Sequence, residues 1–123
     1  MAADDCIELR GLHLAGIVGV LPHEQAQAQP LEIDLDITLD MGGAGRSDAL
    51  EDTVDYGALC DVTEEAVTTT RFQLLEALAG RIARDLLSAD ARIDAVTVSV
   101  RKLRPPVAQQ LRTSGVRITR TRA

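Results

Sequence analysis

Between residues 30 and 40 the chain reads PLEIDLDITLD, in which Leu31, Ile33, Leu35, Ile37 and Leu39 alternate unbroken with Glu32, Asp34, Asp36, Thr38 and Asp40. A strict period of two puts every apolar side chain on one face of a strand and every polar one on the other. A strand covered on both faces would be apolar throughout, so this segment belongs in an antiparallel sheet with one face in a core and one in water. Weaker copies of the pattern predict three more strands. One runs from Cys6 to Leu14, with Ile7 and Leu9 opposed to Glu8 and Arg10; one from about Ile93 to Arg101, with Val96, Val98 and Val100 inward; and one from about Gly115 to Arg122.

The remaining segments supply connections and helices. AGIVGVLPHEQAQAQ carries Gly16, Gly19 and Pro22 without a clean period, and reads as a loop around a short ordered piece. MGGAGRSDALEDT reads as a Gly-rich connection. A helix is predicted from about Tyr56 to Thr68, with Leu59, Val62, Ala66 and Val67 at helical spacing. A second is predicted from near Phe72, where Thr70 and Gln73 match a capping box, and its apolar face comprises Leu74, Leu75, Leu78, Ile82, Leu86 and Leu87. A turn is expected over Ser88 to Arg92. The order strand, strand, helix, helix, strand, strand predicts an α+β fold: a four-stranded antiparallel sheet with two helices on one face. The 123 residues, 46 % of them hydrophobic, suit one domain over residues 1–123. Such a sheet has open edges, which demand either protective charges or neighbouring subunits.

Charge narrows the partners. At a formal net charge of -6 the chain repels polyanions, so no nucleic-acid partner is expected. The arginines near the C-terminus alternate with Val116, Ile118 and Thr119, as the wet face of a strand does. Two early acids and no apolar run at the N-terminus predict no secretory signal, and no stretch is long enough to span a bilayer, so a soluble cytoplasmic protein without membrane contact is expected. Cys6 and Cys60 lack metal or disulfide spacing and are read as buried small hydrophobes, while His13 and His23 have no third ligand at metal spacing; no metal and no cofactor are expected. No GxGxxG or Walker loop is present, and GGAG lacks the lysine and serine of a phosphate cradle.

Three residues stand out for chemistry. Of 13 basic residues 12 are arginine, and the single lysine, Lys102, sits where the third strand enters RKLRPPV. Arginine cannot surrender its proton in a protein, whereas lysine can, as a general base requires; the competing reading is one surface lysine in an arginine-biased chain. Tyr56, the only tyrosine, stands at a helix start after DTVD, where its phenol could donate a proton or simply be solvated. Glu76 lies among Leu74, Leu75 and Leu78, either an ordinary surface acid or a carboxylate able to accept paired N–H bonds from a ligand. Glu24, in the loop segment PHE, carries no pattern of its own.

Taken together, GVLPHE, LEIDLDITLD, AGRSDALEDTVDYG, LLEALAGRIA and KLRPPV resemble the successive landmarks of the dihydroneopterin aldolases, over about Ile7 to Ile118. The resemblance implies the tunnelling fold, in which sheets from several subunits join edge to edge, commonly as a homo-octamer with active sites at subunit interfaces. It implies metal-free retro-aldol cleavage of a small-molecule pterin, 7,8-dihydroneopterin, to 6-hydroxymethyl-7,8-dihydropterin and glycolaldehyde. By similarity, Lys102 serves as acid/base and Tyr56, from a neighbouring subunit, helps protonate the carbon left behind. Glu76 grips the pterin, supported by backbone near Leu75 and Val54, and Glu24 organises the side chain and water. The chain departs from the family pattern at Val18, where many members have histidine before the glycine, and at Ala108, Gln109 and Gln110, which replace the usual Pro-Gly after the proline pair. Side-chain epimerisation through the same cleavage, or a non-catalytic pterin-binding ring protein, are the alternative readings.

Overall fold

The computed structural model describes residues 5–122. The strand that opened the reading is β2 (Gln29–Thr38); Leu31, Ile33, Leu35 and Ile37 are fully buried within it, and Leu39 just beyond it is nearly so. Its neighbours are β1 (Cys6–Val18) and β4 (Ala95–Lys102), both antiparallel to it, and β5 (Ser114–Thr121) pairs antiparallel with β4 at the outer edge. A fifth strand, β3 (Arg71–Phe72), pairs in parallel with the end of β1, so the order is β3-β1-β2-β4-β5. The sheet is therefore five-stranded and mixed rather than four-stranded and antiparallel. Two long helices, α3 (Tyr56–Thr68) and α4 (Leu75–Ala89), pack on the apolar face, α3 against β1 and α4 against β4 and β5. Short helices α1 (Pro22–Ala26) and α2 (Gly42–Ser47) and a 3-10 turn (Leu50–Asp52) fill the connections.

Burial fixes the register. Each fully buried Leu, Ile or Val contributes about 1.5–3 kcal/mol, and slipping β2 by one residue would turn its whole apolar set into water. Val96, Val98 and Val100 meet Ile37, Leu35 and Ile33 across the β2–β4 ladder, while Ile82, Leu86, Leu78 and Leu59 close the core from the helices.

Three departures from the sequence reading have local causes. β1 continues past Leu14 to Val18, because the ladder shifts register between Leu9 and Leu12. The inward set moves from Ile7 and Leu9 to Leu12, Leu14, Gly16 and Val18, which erases a single period of two. Gly11 sits at this bulge with φ 70 and donates its N–H to Asp34 at 2.8 Å, a conformation that glycine adopts without strain. The second long helix starts at Leu75 and not near Phe72. The Thr70 hydroxyl donates back to the Ala66 carbonyl instead of capping forward, and the Phe72 carbonyl accepts from Gly19 N–H and from the Gln25 amide. That helix runs on to Ala89, into the expected turn. Leu74 is half exposed as a result.

Cys6 and Cys60 are half-buried rather than fully buried, and burial raises both thiols. Cys6 lies near Glu8 and Asp36, the one grouping of three possible metal donors among the described residues, but Arg10 already donates to both carboxylates. No helix among the described residues is long and apolar enough to cross a membrane.

Candidate active site

Alternation along β4 delivers Lys102. Val96, Val98 and Val100 point into the core, and Lys102, opposite Leu31, is the next member of that stripe at the point where the sheet ends. Its side chain is only 12 % exposed, and its Nζ donates to Glu24 Oε2 at 2.7 Å. Glu24 comes from α1, 78 residues earlier, and its side chain is 4 % exposed. A charge so buried must be paired and hydrogen-bonded to persist. Oε2 also accepts from the Gln29 amide at 3.1 Å, and Oε1 accepts from Leu21 N–H at a long 3.4 Å, leaving that oxygen with spare capacity. Burial pushes the Glu24 carboxyl up, but the bonds from Lys102, Gln29 and Leu21 outweigh it and hold the group below the usual glutamate range.

The loop before α1 is built to receive this carboxylate. Gly19 has φ 148, and a Cβ there would collide with the Glu24 side chain, so glycine is required both for the backbone and for the space. The Gln25 amide donates to the Gly19 carbonyl at 2.6 Å and to the Phe72 carbonyl at 3.0 Å; the Gln29 amide donates to the Val18 carbonyl at 2.8 Å. Val18 itself is fully buried. Beside Glu24 lies a cavity of about 190 Å³ walled by His23, Gln27, Gln29, Pro30 and Arg104.

The other candidates stand elsewhere in the chain. Asp55 caps α3 by accepting Gly57 N–H, which sets Tyr56 at the first helical position, 59 % exposed. Tyr56 and the buried Val54 line a separate apolar cavity of about 530 Å³ with Ile7, Met41, Leu50 and Thr53. Leu75 is buried at the first turn of α4, whereas Glu76 is exposed, off the stripe formed by Leu75, Leu78, Ala79, Ile82, Ala83 and Leu86. The structure thus brings Glu24 and Lys102 into contact within one chain and leaves Tyr56, Val54 and Glu76 outside that contact. Sequence reasoning missed Gln25, Gln29 and Gly19. The only trace of the glutamines is their place in the HEQAQAQ run, and neither carries a titratable group to draw notice.

The chain as a whole is similar to known proteins. Residues 7–119 match the family model FolB, dihydroneopterin aldolase. The chain is 35 % identical over 118 residues to the dihydroneopterin aldolase of Streptococcus pyogenes serotype M18, covering 96 % of this chain and 99 % of the relative. Among solved structures it resembles the Escherichia coli dihydroneopterin aldolase in complex with neopterin, at a TM-score of 0.85 and 27 % identity, covering 94 % of this chain and 98 % of that one. It also resembles the dihydroneopterin aldolase of Burkholderia thailendensis bound to guanine, at a TM-score of 0.79 and 25 % identity, covering 98 % and 95 % respectively.

Proposed function

The chain belongs to the dihydroneopterin aldolase family, which makes it a carbon–carbon lyase of folate biosynthesis, and we propose that it cleaves 7,8-dihydroneopterin without a metal, using the buried Lys102–Glu24 pair to handle the proton. The substrate carries a C=N bond beside the side chain. When the 2′-hydroxyl loses its proton, the C1′–C2′ bond breaks and its electron pair moves toward C6 and N5, which takes up a proton. Glycolaldehyde leaves, and the enamine left behind is protonated at C1′ while N5 gives its proton back, which restores the C=N bond and gives 6-hydroxymethyl-7,8-dihydropterin. Neither a Schiff base nor an external electron acceptor is required.

The observation that carries this reading is the 2.7 Å contact between the only lysine and a carboxylate 4 % exposed. Lys102 takes the 2′-hydroxyl proton, through a water, and Glu24 fixes its Nζ while the weakly used Oε1 accepts from the substrate side chain or that water. Glu76, exposed at the start of α4, offers two oxygens to the N3–H and 2-amino group of the pterin, beside the backbone of Leu75 and Val54. Neopterin and guanine in the neighbouring structures share that amino-pyrimidinone edge. Tyr56 serves as proton donor to C1′. In one chain it lines a different cavity from Glu24, so the complete site is assembled with a second copy whose Tyr56 and Val54 face Lys102. The free outer edge of β5 and the two-residue β3 at the other edge suit a closed ring of such chains, which we read as a homo-octamer.

The test is to incubate the protein with 7,8-dihydroneopterin in the presence of EDTA and quantify both products. Equal amounts of glycolaldehyde and 6-hydroxymethyl-7,8-dihydropterin are expected, with no adduct on Lys102 after borohydride. A folded protein that binds neopterin but forms neither product would overturn the reading.

A further inference from the structure

The cavity beside Glu24 contains a cation that the cleavage reaction does not use. Arg104, itself exposed, lines it together with His23 and Glu24. Arg10, Arg81, Arg92 and Arg101 are held in ion pairs, and Arg71 and Arg122 on backbone carbonyls, whereas Arg104, like the exposed Arg46, Arg112 and Arg117, is not. Among the described residues no carboxylate or carbonyl partners Arg104. Glu24, the one acid in the cavity wall, is already neutralised by Lys102, so the wall presents a net positive charge within a protein whose net charge is -6.

Position and size say which part of a ligand belongs there. The Leu103 N–H still bonds to the Pro30 carbonyl, so the ladder runs one residue past Lys102 and holds Arg104 beside the sheet end. Lys102 and Glu24 address the 2′-hydroxyl in the reading above, and the side chain has one more carbon beyond it. A cavity of about 190 Å³ is small against the roughly 300–1,000 Å³ of a site that swallows a whole ligand. It suits the terminal group of a side chain and not the fused ring.

We propose that Arg104, assisted by an N–H of His23, is a specificity-determining residue that binds a phosphate monoester at the 3′ end of the side chain, so that the preferred substrate is the phosphorylated form of dihydroneopterin. The guanidinium fork matches two phosphate oxygens, and a neutral side-chain hydroxyl cannot use it as well. The bond broken is the same C1′–C2′ bond, and the second product becomes glycolaldehyde phosphate. This inference rests on the aldolase reading for the ring and for the bond cleaved.

Two measurements separate the two. Steady-state kinetics with 7,8-dihydroneopterin and its 3′-monophosphate should show a lower KM for the ester. Arg104→Gln should reduce kcat/KM for the ester by about 10- to 100-fold, the worth of one charge-assisted contact, and bring the ratio between the two substrates close to one. Calorimetric binding of neopterin and neopterin 3′-monophosphate, which needs no turnover, should show the same preference and the same loss in Arg104→Gln. Equal KM and equal affinity for ester and alcohol in the unaltered protein would overturn the proposal, as would a variant that loses both ligands in the same proportion. Preferential binding of the ester without cleavage of either substrate would support the Arg104 subsite and sink the aldolase reading instead.

Discussion

Arg101 and Lys102 are adjacent basic residues on one strand, and they have opposite fates. Arg101 faces the wet side of the sheet, a quarter exposed, where it pairs with Glu32 at 2.8 Å and Asp34 at 3.0 Å, and Glu32 in turn contacts His13. Lys102 faces the helices, 12 % exposed, with one deeply buried carboxylate. On the wet side, water and several partners share the charge, so no single contact matters much. On the inner side a single partner must suffice, and removing it strands a buried charge. Alternation of side chains thus assigns one cation to holding strands together and its neighbour to a buried contact with a single carboxylate.

Several variants would break or sharpen this contrast. The largest effect is expected from Glu24→Gln combined with Lys102→Met: turnover should fall by about 10²–10⁴, the usual worth of a general acid/base, with little change in melting temperature, because both charges go together. Lys102→Met alone should also destabilise, by about 3–5 kcal/mol in denaturant unfolding, because it leaves Glu24 buried and unpaired. A stable single variant would show that the pair is wetter than its burial indicates. Tyr56→Phe should cost turnover about tenfold or more. Mixed and reassembled with the Glu24→Gln/Lys102→Met protein, it should regain part of that activity, since some interfaces then combine an intact Tyr56 with an intact Lys102. Absence of recovery would place the whole site in one chain.

Acid provides a smaller test. The Glu24 carboxyl lies below its ordinary value, so its contribution to stability is complete above about pH 4.3 and is lost as pH falls through the lower folded-state value. Asp90, held at about 2 by hydrogen bonds from Arg92, acts in the same direction. Stability should therefore decline from about pH 4 toward pH 2, and Glu24→Gln should flatten the upper part of that decline in pH-dependent unfolding. The smallest effect belongs to the wet face: Arg101→Gln should cost less than about 1 kcal/mol, and added salt should shrink even that.

How much of this was legible depended on whether local pattern or distant contact decided the outcome. β2 and β4 followed from their alternation, and α3 starts and ends where its spacing indicated. The end of β1 did not, because the bulge at Gly11 swaps the parity of its inward residues. The start of α4 did not either, because the hydroxyl of Thr70 and the carbonyl of Phe72 are claimed by groups outside that helix. Lys102 was visible as the lone lysine, and the period that buries Val96, Val98 and Val100 also places it inward. Its partner was not visible, since nothing local in PHE distinguishes Glu24 from a solvated loop acid; only folding across 78 residues brings the two together. Tyr56 and Glu76 gained their roles from resemblance, and their positions in one chain neither join them to the pair nor set them against it.

The most direct test of the central claim measures neopterin affinity and the single-turnover rate of glycolaldehyde release for Lys102→Gln and Arg101→Gln side by side. The expected result is that Lys102→Gln keeps its affinity within a few-fold and loses at least about a hundredfold in rate, while Arg101→Gln stays close to the unaltered protein in both. Turnover by Lys102→Gln within a few-fold of the unaltered protein, or equal losses in the two variants, would contradict the assignment of proton handling to the inner face of the strand.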